Sequence, residues 1–336
     1  MTTSYIKKYT PYMCAYAHGF SDHGNINWMP YLMYFHPFDY RSDVVNTDVS
    51  GFRFSEVGQN KYSVCNVESG QATRILAGSS TVFGIGASSD KFTLSSCMSR
   101  NDERGDLWLN FGGRSFNSTQ EFILFSLNRH KLEHVKEIVL FSGFNDLGLA
   151  RVQSSMRMEH GAFFMFHDFF EGMKKKRTFS LKGKLWRNQS QSQEPVPSVE
   201  EQIEHASALT TRQLANWKAL ANDMGIKLTF VLQPLANWVR SEFSEEETLI
   251  FSELEEKGGF EEFYGDILSK DVCQRYATKI QQKAEELGVR FINISPLLSA
   301  EVTDKDWLFV DRIHFNDFGH DVVSKILLTE LTKDKG

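Results

Sequence analysis

Five short apolar runs recur along the chain, at 74–77, 106–110, 137–142, 227–232 and 289–294, each closing on small or polar residues. Runs of this length without strict alternation read as strands buried on both faces, the pattern of a parallel sheet. The stretches between them have helical spacing. Residues 119–133 carry Phe122, Ile123, Phe125, Leu127 and Leu132, and 271–287 is amphipathic with Gly288 as its stop. Val322, Val323, Ile326, Leu327 and Leu331 mark a last helix whose N-cap is Asn316 or Asp317. Strand alternating with helix predicts a three-layer α/β/α sandwich around a mainly parallel five-stranded sheet. In such sheets, ligands bind beyond the carboxyl ends of the strands. The residues just after each run are therefore where chemistry is expected.

Parts of the chain fall outside this pattern. Residues 1–70 precede the first strand and read as an N-terminal extension packing on a domain spanning 71–336. Insertions are expected at about 148–205 and 240–266. The first holds Phe163, Phe164, Phe166, Phe169 and Phe170, the basic run 174–177 and a polar, low-complexity tether at 188–195. An apolar element on a mobile tether suits a lid or a partner contact, and equally a plain surface insertion. The second insertion is rich in Glu and Phe and shows no evident purpose.

Composition narrows the function classes. A chain of 336 residues with 41% hydrophobic and 24% charged residues can bury a large core. The 28 Phe point first to a densely packed interior. A net charge of −6 gives no broad footprint for nucleic acid, and the run 174–177 reads as a solvated helix end. No apolar run has the length of a signal-peptide core or a membrane span. Cys14, Cys65, Cys97 and Cys273 lie far apart, with no metal-ligand spacing. They are expected to be free, buried thiols of a cytoplasmic protein, and the sequons at Asn117, Asn188 and Asn293 then carry no weight.

Three strand-end segments carry candidate chemistry: Gly78-Ser79-Ser80-Thr81, Gly143-Phe144-Asn145-Asp146 and Asp311-Arg312-Ile313-His314. A serine hydroxyl becomes a nucleophile when a base takes its proton, and the base needs an acid to fix its tautomer. Asp three residues before His on a turn can reach one ring nitrogen while the other faces a serine. Asn145 offers an amide N–H to a developing oxyanion. A second copy of the pattern, Asp317-Phe318-Gly319-His320, sits inside the predicted last helix. There Asp317 is accounted for by capping and His320 by packing, which leaves Asp311 and His314 free in the preceding loop.

These segments resemble the SGNH (GDSL-like) hydrolase family. The G-x-S, G-x-N-D and D-x-x-H elements match Gly78 to Ser80, Gly143 to Asp146 and Asp311 to His314, and 46–53 looks like a lead-in seen in some members. The resemblance implies a flavodoxin-like sheet, with Ser80 as nucleophile, His314 as base and Asp311 as its partner. It implies an oxyanion hole from the backbone N–H of Ser80, the Asn145 amide and a second-block backbone donor. The family has Gly at that last position; this chain has Ser115, with Gly112 and Gly113 nearby. The expected activity is hydrolysis of acyl esters, acetyl above all and some on carbohydrates, with no cofactor and a small-molecule or glycan ester as partner. Transfer of the acyl group to a sugar by the same residues is the alternative, and a non-catalytic glycan-binding protein a third reading. The G-x-S-x-G elbow of the α/β-hydrolases does not occur around Ser80.

Other residues have plainer readings. Ser79 lines the turn, and Asp146 is either an ionised site residue or a helix cap. Arg114 could hold a substrate anion, or form a surface salt bridge. His160 and His167 read as histidines at the edge of the core. Asp311, His314, Asp317, His320 and Asp321 could be named a metal site, but the geometry demanded of a loop and a helix turn argues against it.

Overall fold

The computed structural model describes residues 4–20, 26–164 and 195–333. Its central strands are β1 (Thr73–Gly78), β2 (Leu107–Gly112), β3 (Val135–Ser142), β4 (Lys227–Leu232) and β5 (Arg290–Asn293). They form one parallel sheet in the order β2-β1-β3-β4-β5. The chain runs outward from β1 to β2 and then crosses back to β3, so the order reverses beside β1. That reversal opens a crevice at the carboxyl ends of β1 and β3, the usual ligand position in open α/β sheets.

The helices are α1 (Ser80–Phe83), α2 (Leu94–Asn101), α3 (Ser118–Asn128), α4 (Phe144–Leu149) and α5 (Val199–Met224). They continue with α6 (Glu245–Gly258), α7 (Lys270–Glu286), α8 (Ile294–Glu301) and α9 (Asp317–Thr332). Side-chain alternation along the strands sorts them into two layers. Ile75, Leu109, Ile138 and Phe230 face a core with Leu124 of α3, Trp217 of α5 and Ile280 of α7. Leu76, Trp108, Val139 and Val231 face the opposite core, with Met98 of α2, Leu298 of α8 and Leu327 of α9. The result is the expected three-layer sandwich.

Local signals set the helix ends. Capping boxes start α3 (Asn117 with Gln120) and α5 (Ser198 with Glu201), and Gly225 in the left-handed region ends α5. The Phe content goes largely into packing. Phe35, Phe52, Phe111, Phe125 and Trp217 form a ring-to-ring path with centroid separations of 5.2, 4.9, 5.3 and 5.0 Å.

The first 70 residues contribute short helices (Tyr5–Tyr9, Met13–Gly19) and two hairpins, Asn27–Met29 with Met33–Phe35 and Ser55–Val57 with Asn60–Tyr62. Leu32, Tyr34, Phe35, Phe52 and Val64 enter the same core as α3 and α5. Helix α5 begins at Val199, within the stretch read as the first insertion. Phe163 and Phe164 are described; Phe166, His167, Phe169, Phe170, the basic run 174–177 and positions 188–194 of the tether lie outside the described residues. One expectation fails in part: Cys97 and Cys273 are buried free thiols, but Cys14 and Cys65 are exposed. No helix among the described residues is long and apolar enough to cross a membrane.

Candidate active site

Strand β1 ends at Gly78, where nothing larger fits: a Cβ would lie 2.2 Å from the Phe141 carbonyl oxygen of β3. The chain then turns at Ser79, and Ser80 opens the single-turn helix α1. The first N–H groups of a helix have no acceptor within it, so the Ser80 N–H is not used up by the fold of α1. Ser79 is engaged elsewhere, donating its hydroxyl to Gln233 Oε1 (3.2 Å), while Gln233 donates to Thr81 Oγ1 (2.8 Å).

A helix of four residues cannot hold itself in place. The far end of α1 is held by Arg53, whose Nη1 donates to the carbonyls of Phe83 (3.2 Å) and Gly84 (2.8 Å). This guanidinium is fully buried; its Nε pairs with Asp90 (2.9 Å), and it also donates to Tyr16 Oη (2.9 Å) and the Val44 carbonyl (2.7 Å). Its planar fork satisfies these scattered acceptors at once, which a lysine could not do. The lead-in at 46–53 thus braces the candidate nucleophile from behind.

The Asp311 loop is fixed by long-range contacts. Phe309 and Phe315 pair across it, Val310 N–H donates to the His314 carbonyl (2.9 Å), and Ala236 N–H donates to the Arg312 carbonyl (3.0 Å). Glu247, from α6, accepts the N–H groups of Leu308 and Phe309 on one oxygen (3.0 Å each) and pairs with Arg240 through the other (2.6 Å). The acidic insertion at 240–266 therefore anchors the base of this loop. It also walls, through Leu254, Phe260 and Phe263, an apolar cavity of about 260 Å³ that reaches Asp311 and Ile313.

Within the loop, Asp311 Oδ1 accepts from the N–H groups of Ile313 (2.8 Å) and His314 (2.7 Å). Its Oδ2 lies 2.7 Å from His314 Nδ1, and His314 Nε2 lies 2.8 Å from Ser80 Oγ. A carboxylate can only accept, so Nδ1 carries the proton and Nε2 accepts from the serine hydroxyl. Burial pushes the Asp311 carboxyl up, but the His314 ring and the two backbone N–H groups outweigh it and hold the carboxyl below its ordinary value. Asp311 therefore stays ionised beside the ring it orients.

The second copy behaves differently. Asn316, not Asp317, is the N-cap of α9, accepting from Gly319 N–H (2.8 Å). Asp317 instead accepts from Ser88 N–H (2.7 Å) and Ser88 Oγ (2.5 Å). His320 is fully buried, edge-on to Phe315, with no well-formed hydrogen bond to either ring nitrogen. Burial, with the Arg53 and His314 charges adding, pushes its pKa down to about 3, against a small opposing pull from the Ile85 carbonyl.

The second-block loop distinguishes its three candidate positions by packing and backbone conformation. A Cβ on Gly112 would sit 2.0 Å from the Phe83 nitrogen, and one on Gly113 2.0 Å from Phe116 Cδ2. Both glycines serve close packing. Ser115 alone in this loop has a left-handed backbone, with φ +60°, the conformation that favours glycine. Asn145, buried in α4, donates one amide N–H to the Phe116 carbonyl (2.6 Å), which leaves its second N–H.

The remaining candidates have structural partners. Asp146 is buried, accepting from Ser118 N–H (3.1 Å) and Thr210 Oγ1 (2.6 Å), and burial raises its pKa. It is not the cap of α4, which starts from Gly143. Arg114 is buried, contrary to the surface salt bridge expected of it. His160 is exposed beside Glu159, so its placement at a core edge is also corrected. Asp321 accepts from Arg100 (3.2 Å) and Asn101 (3.0 Å), which draws it away from the other members of the suggested metal cluster. No grouping of three or more potential ligands suited to a metal ion occurs among the described residues.

No protein-family model matches the chain, and no curated protein is found similar to it. Solved structures are. An acetyl xylan esterase, AlAXEase, matches at 12% identity over 77% of this chain and 99% of its own, with a TM-score of 0.40. A member of the lipolytic protein G-D-S-L family from Veillonella parvula DSM 2008 matches at 13% identity over 78% of this chain and 100% of its own, with a TM-score of 0.43. An acetylxylan esterase from Geobacillus stearothermophilus matches at 12% identity over 79% and 96%, with a TM-score of 0.42. The chain is similar to proteins of the group its motifs resemble. Likeness this distant carries no activity across, and what this chain can do follows from its own side chains.

Proposed function

We propose that this protein is a serine-dependent ester hydrolase of the SGNH type, working through an acyl-enzyme on Ser80. The observation that carries the proposal is the unbroken hydrogen-bond chain from Ser80 Oγ to His314 (2.8 Å) and from His314 to Asp311 (2.7 Å).

In this reading Ser80 Oγ attacks the ester carbonyl carbon as its proton passes to His314 Nε2. The imidazolium that forms is stabilised by Asp311, whose carboxylate is held in place by two backbone N–H groups. The carbonyl π-bond opens to an oxyanion, which the N–H groups of Ser80 and Ser115 and the free N–H of Asn145 receive. Collapse of this intermediate breaks the bond to the leaving oxygen, and His314 returns the proton to it, releasing the alcohol. Water then attacks the acyl-serine, with His314 as base again, to release the acid. The Gly-like backbone of Ser115 supports it as a donor.

The motif resemblance suggests small acyl esters, acetyl above all, some of them on carbohydrates. Transfer to a sugar would need only a sugar hydroxyl in place of water. The aromatic segment, which as a lid would exclude water and so favour transfer, lies mostly outside the described residues.

The test is a panel of short-chain, long-chain and sugar acetate esters on wild type and Ser80→Ala. The wild type is expected to release acid, and the variant to lose about 10⁴-fold or more in kcat. Equal turnover by the two proteins overturns the proposal.

A further inference from the structure

His36 lies outside every motif described above, one residue past the hairpin strand Met33–Phe35, yet it is buried between the two segments that carry Ser80 and Ser115. Its ring is tilted on Phe83, the last residue of α1, at a centroid separation of 3.9 Å, and stacked on Phe35 at 4.4 Å. Its Nε2 is 3.0 Å from the backbone nitrogen of Arg114, and its Nδ1 is 3.1 Å from the Gly51 carbonyl oxygen.

These partners leave one protonation state. A backbone N–H only donates and a carbonyl only accepts, so Nδ1 carries the proton and Nε2 is an acceptor. A second proton would set N–H against N–H at Arg114. Burial, reinforced by the Arg114 and Arg53 charges, pushes the His36 pKa well below its ordinary value, despite the Gly51 carbonyl. Hydrogen-bond geometry and burial therefore both favour the neutral ring with its acceptor on Nε2.

His36 holds the Gly113–Arg114 peptide, the unit before the Arg114–Ser115 peptide that carries the Ser115 N–H, and the Ser115 carbonyl is held separately by Tyr34 Oη at 3.1 Å. Ser115 is a side-chain-bearing residue at φ +60°, a backbone state of a kind that persists only where its surroundings enforce it. We infer that His36 is a positioning residue of the active site, fixing the Ser115 N–H relative to Ser80 by accepting the Arg114 N–H while its ring packs on α1. This rests on the proposed reading of Ser80 and Ser115. It adds that the N-terminal 70 residues are part of the catalytic apparatus rather than an accessory.

The test compares three substitutions. Gln places an oxygen near the position of ring Nε2, Asn places its amide near Nδ1 only, and Phe fills the space with no acceptor. His36→Gln is expected to keep kcat on p-nitrophenyl acetate within about fivefold, while His36→Asn and His36→Phe lose about 30- to 100-fold with KM within twofold, since a displaced oxyanion donor acts on the transition state. Losses that track the fall in Tm across all three, with Gln no better than Asn, make the position purely structural and overturn the inference. So does wild-type activity in all three. The ring ¹⁵N shifts of the wild type give a check free of folding defects: an Nδ1–H tautomer is expected, and Nε2–H or a charged ring overturns it. Ser80→Ala, run alongside, separates the two levels, because full activity in that variant refutes the hydrolase reading and not merely the role of His36.

Discussion

Asp311 and His314 share their spacing with Asp317 and His320 only six positions further on, and the two pairs have opposite fates. In the loop, the backbone curls so that Asp311 reaches both its neighbours' N–H groups and the His314 ring, and the ring's other nitrogen points at Ser80. In the helix, Asp317 points out to Ser88 and His320 points into the core. The spacing is identical; what differs is whether the acid can turn back on its own histidine. A D-x-x-H pattern thus becomes a hydrogen-bonded acid–imidazole pair facing a serine through loop conformation, and that conformation is imposed from elsewhere, by Glu247 and Ala236. The pair in the helix contributes to packing and to fastening the Ser88 loop.

The comparison breaks most readily at the histidines. His314→Ala is expected to lose about 10⁴-fold in kcat on p-nitrophenyl acetate, while His320→Leu stays within about threefold. Comparable losses in both would mean that the helical copy takes part in the chemistry. The acids come next. Asp311→Asn keeps an oxygen for the backbone N–H groups but puts an amide against the ring, favouring the wrong tautomer, and should cost about 10²- to 10⁴-fold in kcat. Asp317→Asn should leave kcat within twofold and lower stability by about 1 kcal/mol, measured by urea unfolding, because the charge-assisted bonds to Ser88 weaken.

A further effect is a slope. His320 titrates near 3 in the folded protein and near its ordinary value of 6.5 when unfolded. Between these values the unfolded chain binds more protons, so stability rises with pH through the window and is lost as pH falls from 6.5 towards 3. Unfolding free energies measured across that range should fall less steeply for His320→Leu than for wild type. Parallel curves would show that His320 is not held neutral.

Much of the sandwich was legible in the chain because parallel strands buried on both faces leave continuous apolar runs. The five runs and the five strands agree to within about two residues at each end. Ser80, Asn145, Asp311 and His314 were legible because each follows a strand or precedes a helix that the pattern itself defines. The supports were not. Glu247 lies 61 positions before the loop it anchors, His36 lies 78 before the peptide it holds, and Arg53 lies 30 before the helix it braces. No local periodicity encodes contacts at such separations. Two signals are present in part in the chain: the 46–53 segment ends on the buried Arg53, and Ser115, at the position where the family has Gly, is the residue with positive φ. His160 was misplaced for a related reason, since neighbouring Phe residues in sequence do not determine which side chain faces inward.

The central claim is that Ser80 is a nucleophile activated by His314 and not by His320. Fluorophosphonate labelling with mass mapping of the modified peptide tests it directly. One adduct on Ser80 is expected in wild type and in His320→Leu, with labelling at least about a hundredfold slower in His314→Ala. Folded wild-type protein that takes no label at Ser80, or that labels at the same rate without His314, would contradict the account.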